Sequence, residues 1–224
     1  GCNGIVYLIK IDNNKFVLKR QKILKKNIKK NLKLNIWREV EFSKFVNKLP
    51  KNKRIFFMEM YDYKINICKM KKYDDNMSDE NNYFKKLNKS NYCMDIIYEH
   101  KGNTFDKILI KNKIKLKEKY SFLIQILTAL DVMRKNGYTH NDLHSNNIMF
   151  KKSDYKVKIR NKNLNTKYIY SLIDYGFVNN TKFPNNKIDK FNNLHLQKNY
   201  EQLDLLIYSF SRVNILGDIY IKKK

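Results

Sequence analysis

The first twenty residues, GCNGIVYLIKIDNNKFVLKR, alternate apolar and polar positions on either side of an Asp-Asn-Asn turn. A period of two marks a strand with one face in a core, so the pattern predicts a β-hairpin with strands near 5–11 and 15–20. A basic run, QKILKKNIKKNLKLN, leads into IWREVEFSKFVNKL, where Ile36, Val40 and Phe45 recur near helical spacing and Pro50 follows as a stop signal. RIFFMEMYDYKINICKM has the apolar density of one or two further strands, and KKYDDNMSDENNYFKKLNKSN reads as a polar loop. YCMDIIYEH is a compact strand that ends at a Lys101-Gly102-Asn103 turn. The clearest helix is KEKYSFLIQILTALDVMRKNG, with Phe122, Ile126, Leu130 and Met133 on one face and Gly137 at its C-terminal end. Beyond it lie Ile148-Met149-Phe150, a polar excursion, the strand YIYSLIDYGFV, an Asn/Lys-rich loop and an apolar helix candidate, YEQLDLLIYSFSRV. No internal repeat is visible. Strand-rich first and helix-rich second, the order predicts an α+β chain of two unequal parts.

Composition narrows this picture. A chain of 224 residues fits one domain, or a two-part domain somewhat cut short, and 42% apolar residues suffice for a core and exclude global disorder. No run approaches the ~18 apolar residues of a membrane span; the best, SFLIQILTALDVM, is broken by Gln125 and Asp131. The chain begins with Gly and carries no signal peptide, which points to a processed, trimmed or fragmentary start. Cys2, Cys68 and Cys93 have no paired spacing, and reduced thiols in a cytoplasmic compartment are expected. Lys+Arg number 47 against 21 Asp+Glu, a net charge of +26. Because Lys, Asn, Ile and Tyr are inflated together, A/T-rich codon drift is the leading cause, with non-specific affinity for nucleic acid or another polyanion as its physical consequence.

The chemistry concentrates in YTHNDLHSNNIMF, which sets His140, Asp142, His144 and Asn147 between two apolar segments. A metal site, a catalytic loop and a solvated turn all fit these residues alone. Asp142 is a carboxylate able to orient a hydroxyl and accept its proton. Asn147 and Asp174, the latter in LIDYGF before a Gly that permits a sharp turn, are oxygen donors suited to Mg²⁺ and not to zinc.

His-x-Asp-Leu-x-x-x-Asn followed by Asp-aromatic-Gly resembles the catalytic and metal-binding loops of protein kinases. Upstream residues extend the resemblance in order. GCNGIVY resembles the second half of the glycine-rich loop, with Gly1 and Gly4 as its glycines and Val6 after them. FVLK offers Lys19 as the phosphate-gripping lysine, and WREVEF offers Glu39 as its helix partner, with Glu41 a weaker candidate. MDIIYEHKG is similar to the hinge strand, with Tyr98 at the gatekeeper position and Glu99 and His100 supplying backbone groups to adenine. Gly1, Gly4, Gly102, Gly137 and Gly176 fall where a kinase uses a glycine.

The resemblance runs from Gly1 to about Ser211 and implies a two-lobed fold: a small β-rich N-lobe over 1–100 and a helical C-lobe over 101–224, its last helices missing. It implies an ATP- and Mg²⁺-dependent phosphotransferase acting on Ser/Thr hydroxyls of a protein substrate, of the compact type carried by large DNA viruses. Lys19, Glu39 and Asp142 would be catalytic. Gly1, Gly4, Val6, Lys19, Glu99, His100, Asn147 and Asp174 would line the nucleotide site, with Asn147 and Asp174 on the metal. His140 would be an internal scaffold, and Asp204 would cap the backbone of the catalytic loop.

Departures temper the expectation. Asn141 stands where many protein kinases have Arg, which puts activation through loop phosphorylation in doubt. His144 replaces the usual Lys and is similar to the loop of aminoglycoside- and choline-kinase-like small-molecule phosphotransferases. Tyr175 replaces Phe, and the stretch from Asn147 to Asp174 is long and Lys/Asn-rich, which predicts a solvated loop. A small-molecule acceptor and an inactive pseudokinase scaffold remain the alternatives.

Overall fold

The computed structural model describes residues 4–70, 81–107, 116–152, 157–159, 162–164 and 166–180. The hairpin forms over the expected residues: β1 (Ile5–Ile11) pairs antiparallel with β2 (Asn14–Lys22), from Ile5↔Arg20 to Ile11↔Asn14, but β1 exposes Val6, Tyr7 and Leu8 in succession and buries neither face in a core. Asp12 and Asn13 make its turn with φ of 45° and 65°, a left-handed pair that short polar side chains tolerate and whose twist suits the strands. β3 (Met60–Ile67) and β4 (Tyr92–Glu99) complete a four-stranded antiparallel sheet in the order β1-β2-β4-β3.

Helix α1 (Asn35–Lys48) packs on one face of that sheet and buries Ile36, Trp37, Val40, Phe42 and Val46. Full burial of such side chains contributes roughly 1.5–3 kcal/mol each, which is what holds the helix down. Trp37 meets Tyr63 of β3 edge-on at 6.1 Å. Pro50 does end α1, and it also opens a single helical turn, α2 (Lys51–Arg54). The polar stretch over 71–91 is not all loop: α3 (Asn81–Asn88) forms within it. Its described anchor is one buried residue, Leu87, too little periodicity to register in a sequence pattern.

The second part centres on α4 (Leu116–Lys135). It packs against a three-stranded sheet made of β5 (Asn103–Thr104), β7 (Ile148–Lys152) and β10 (Tyr168–Leu172), in the order β10-β7-β5. Phe122 stacks on Phe105 at 4.1 Å, and both meet Tyr170 edge-on. Gln125, fully buried, donates to the Tyr168 carbonyl at 3.0 Å and accepts from the Tyr170 amide at 3.1 Å, stitching the helix to β10. β6 (Tyr138–Thr139) pairs with β11 (Asn179–Asn180). The excursion before β10 is not simply a solvated loop: β8 (Val157–Ile159) and β9 (Lys162–Leu164) pair as a hairpin, and Val157 is buried. The strand expected over 168–178 stops at Leu172 because the chain turns sharply at Asp174, φ 59°.

The two parts share one hydrophobic cluster. They are joined where the Met58 amide donates to the Leu172 carbonyl at 3.1 Å and the Leu172 amide to the Phe56 carbonyl at 2.9 Å. The chain is thus a mixed α+β protein with a small antiparallel sheet. Cys68 and Cys93 are disulfide-bonded, with Cα atoms 5.7 Å apart, against the expectation of free thiols. Cys68 follows the last residue of β3 and Cys93 is the second residue of β4, so the antiparallel pairing of these strands brings them together where sequence spacing does not, and the cysteines no longer argue for a reducing compartment. Among the described residues no helix is long and apolar enough to cross a membrane. The expectations for Gly1, Cys2, the 200–213 helix and Asp204 lie outside the described residues.

Candidate active site

The β7–β10 register, Tyr170↔Phe150 through Leu172↔Ile148, brings the two signature loops together. It continues one step further, where the Ile173 amide donates to the Asn147 carbonyl at 3.0 Å. Asn147 just before β7 and Asp174 just after β10 therefore emerge at the same end of one ladder. His140 fastens the loops from beneath. It is fully buried, and its Nε2 lies 3.0 Å from the Ile173 carbonyl. Burial pushes the imidazole down to about 4, so the ring is neutral and Nε2 carries the proton it donates. That is the scaffold role expected of it. Asn141 (φ 62°) and Asp174 (φ 59°) sit in the left-handed region, which costs a non-glycine residue about 1–2 kcal/mol. Asn141 is held there in part by its amide, which donates to the Phe177 carbonyl at 3.1 Å.

Lys19 reaches the same place from β2. Its Nζ donates to both Glu39 oxygens, at 2.9 and 2.8 Å, and to Asp174 Oδ1 at 2.9 Å. Three stretches of chain separated by 20 and 155 residues thus converge on one ammonium. Burial works to lower the Lys19 pKa, but the charges of Glu39 and Asp174 outweigh it and raise it above the ordinary lysine value. Burial likewise pushes up the Glu39 carboxyl, against the pull of Lys19. Asp174 ends below the ordinary carboxylate range, because Lys19 overcomes its desolvation. Glu41, the weaker candidate, instead pairs with Lys30 at the surface.

Asp142 lies close enough to this cluster to feel the charges of Asp174 and Lys19. Asn147 Nδ2 donates to the Asp142 carbonyl at 2.8 Å and to its Oδ2 at 2.9 Å. Burial, with the Asp174 charge adding to it, raises the Asp142 carboxyl above its usual value. His144 accepts the Asn146 amide on Nδ1, leaving Nε2 3.6 Å from Asp142 Oδ1. With its NH₂ committed to Asp142, Asn147 keeps Oδ1 on the other side of the amide, where it accepts from no described residue. That oxygen and the one-third-exposed Asp174 carboxylate are hard-oxygen groups of the type Mg²⁺ prefers. Among the described residues no cluster of three or more His, Cys, Asp or Glu forms, so the candidate cation site rests on this pair.

The remaining expected residues lie at the start of β1 and at the end of β4. Val6 lies opposite Lys19 in the β1–β2 register, so both project from the same face, and Val6 is 61% exposed there. Gly4 has φ 143°, and a Cβ there would lie 2.6 Å from the Arg20 carbonyl, so the position admits only glycine. Glu99 closes β4, but its amide already donates to the Glu59 carbonyl at 2.9 Å and offers a ligand no donor. His100 is half-buried just beyond, its pKa lowered by burial and by Lys15 and Lys151.

Two hydroxyls were not anticipated. Tyr98, fully buried, donates to Glu39 Oε1 at 2.9 Å. The Tyr175 hydroxyl accepts from the Met58 amide at 2.7 Å and donates to the Leu172 carbonyl at 2.7 Å, so it locks the Asp174 turn where Phe could not. The signal was present: a tyrosine on a core-facing position needs a partner for its hydroxyl. A scan against protein-family models and a search of curated proteins find no match to this chain.

Proposed function

We propose that the chain is an ATP-dependent phosphotransferase of the protein-kinase type, acting on Ser/Thr hydroxyls of proteins. The observation that carries this reading is the Lys19 ammonium held between Glu39 and Asp174, beside the Asp142–Asn147 pair. In this reading the β1–β4 sheet with α1 is the small lobe, residues 1–100, and residues 101–224 form the larger one.

ATP would lie under β1, its base against Val6 and its phosphates over Gly4 toward Lys19. Lys19, kept charged by its two carboxylates, holds the non-transferred phosphates as a compact point charge. Asn147 and Asp174 would hold Mg²⁺, which when bound neutralises charge on the phosphate oxygens. The acceptor hydroxyl oxygen bonds to the γ-phosphorus as the bond to the β,γ-bridging oxygen breaks. Its proton passes to Asp142, and ADP leaves. Asp142 is suited to this because it is fixed by Asn147 and its side chain is about one-third exposed. The rate gain comes from positioning and fixed charge.

His144 supports a second reading, a small-molecule acceptor, since no lysine approaches the transferred group from that position. The test is transfer from γ-labelled ATP with Mg²⁺ to basic proteins, acidic proteins and amino-alcohols, with Asp142→Ala alongside. Loss of at least ~100-fold in the variant, with nucleotide affinity kept, is the expected result. Equal rates in parent and variant would overturn the assignment of the base, and Mg-ATP binding without transfer to any acceptor would make the chain a binding scaffold.

A further inference from the structure

The lysine-rich run between β2 and α1 takes no part in the site described above. Residues 21–35 carry Lys22, Lys25, Lys26, Lys29, Lys30 and Lys33 and no acidic residue. Codon drift accounts for the number of lysines but not for their arrangement, because the backbone here is fastened. The Asn27 amide closes a turn onto the Leu24 carbonyl at 2.8 Å, and the Leu34 amide closes another onto Asn31 at 2.9 Å. The Trp37 indole donates to the Asn27 carbonyl at 2.9 Å, and Arg38 donates to the Leu32 carbonyl, so α1 grips the run from behind. Ile23 is buried and Leu32 and Leu34 pack against the core, while Lys25, Lys26, Lys29, Lys30 and Lys33 are exposed. Lys30 meets Glu41; among the described residues, Lys25, Lys26, Lys29 and Lys33 meet no carboxylate.

We propose that this fastened run is a nucleic-acid-binding surface that takes the phosphate backbone without reading base sequence. The exposed side chains are lysines and Asn31 alone, and the run holds no aromatic residue. Protein interfaces deplete lysine at their centre and rely on aromatic anchors, which are missing here. Attachment to a membrane surface needs apolar side chains beside the lysines; Ile23, Leu32 and Leu34 are taken up by the core, which leaves only the half-buried Leu24 and Ile28. Phosphate backbone is the partner that lysine and amide groups engage unaided. The net charge of +26 steers such a polyanion from a distance. The surface stands independently of phosphotransfer.

Fluorescence anisotropy of labelled single- and double-stranded oligonucleotides with the full chain, between about 50 and about 200 mM salt, tests it. The variant K25Q/K26Q/K29Q/K33Q is compared with K10Q/K51Q/K53Q/K152Q, which removes the same charge from other exposed positions. The first should weaken binding by at least about tenfold and lower the salt slope for duplex by up to about 3.6, about 0.9 for each of the four lysines, while the second weakens it less than about threefold. K25R/K26R/K29R/K33R should bind like the parent. Equal losses in the two glutamine variants would overturn the proposal, as diffuse charge alone would then explain binding. Tighter lysine-dependent binding to a phosphopeptide or to anionic vesicles would overturn it too.

Discussion

Buried and neutral beneath the two loops, His140 makes the fold acid-sensitive by an amount that can be worked out. In the unfolded chain its imidazole takes up a proton near 6.5; in the folded protein burial delays this to about 4. Between those values the unfolded state binds more protons, so stability falls as pH falls. The contribution is fully present above about pH 6.5 and lost by about pH 4, and at about 1.4 kcal/mol per pKa unit it amounts to about 3 kcal/mol. Urea denaturation of the parent and of His140→Asn at several pH values isolates it. Asn also presents an N–H toward Ile173 but does not titrate, and effects of the other ionisable groups cancel in the comparison. The parent's advantage should be constant above pH 6.5 and should shrink by up to about 1.4 kcal/mol per unit below it. An advantage that stays unchanged down to about pH 4.5 would refute a buried, neutral imidazole.

Lys19→Met strands the fully buried Glu39 carboxylate and should cost about 3–5 kcal/mol along with phosphotransfer. Adding Glu39→Leu should restore most of the stability and none of the activity; a double variant as unstable as the single one would contradict this. Tyr98→Phe removes one hydrogen bond to a charged group and should cost about 1.5–3 kcal/mol by urea denaturation, so unchanged stability would mean that the hydroxyl does not hold Glu39 in solution. Reducing the Cys68–Cys93 bond, which spans 25 residues, should lower stability by about 3 kcal/mol, and an insensitivity of the denaturation midpoint to dithiothreitol would show the bond is absent.

α1 and α4 were readable from several turns of helical hydrophobic spacing, and the hairpin and β4 from short apolar runs bounded by turn residues. The convergence of Lys19, Glu39 and Asp174 was readable only through an ordered motif, since no local pattern specifies contacts across 155 residues. What escaped notice was set by tertiary context. α3 rests on the single buried side chain of Leu87, and the β8–β9 hairpin on three residues per strand. The disulfide depends on the pairing of β3 with β4, which brings the chain just past β3 beside the start of β4. The hydroxyls of Tyr98 and Tyr175 act through partners far along the chain, Glu39 and Met58.

The β8–β9 hairpin leaves from the end of β7 and returns at the start of β10, and those two strands are already paired to each other. Its root is tied down separately, by Thr166 and the Lys167 amide donating to Glu118 of α4. Spacing between the two signature loops is thus set by the ladder and not by the contour length of what lies between. A growing lineage could splice a reporter peptide or a whole extra module into that tip at little entropic penalty, while Asn147 and Asp174 kept their relative positions.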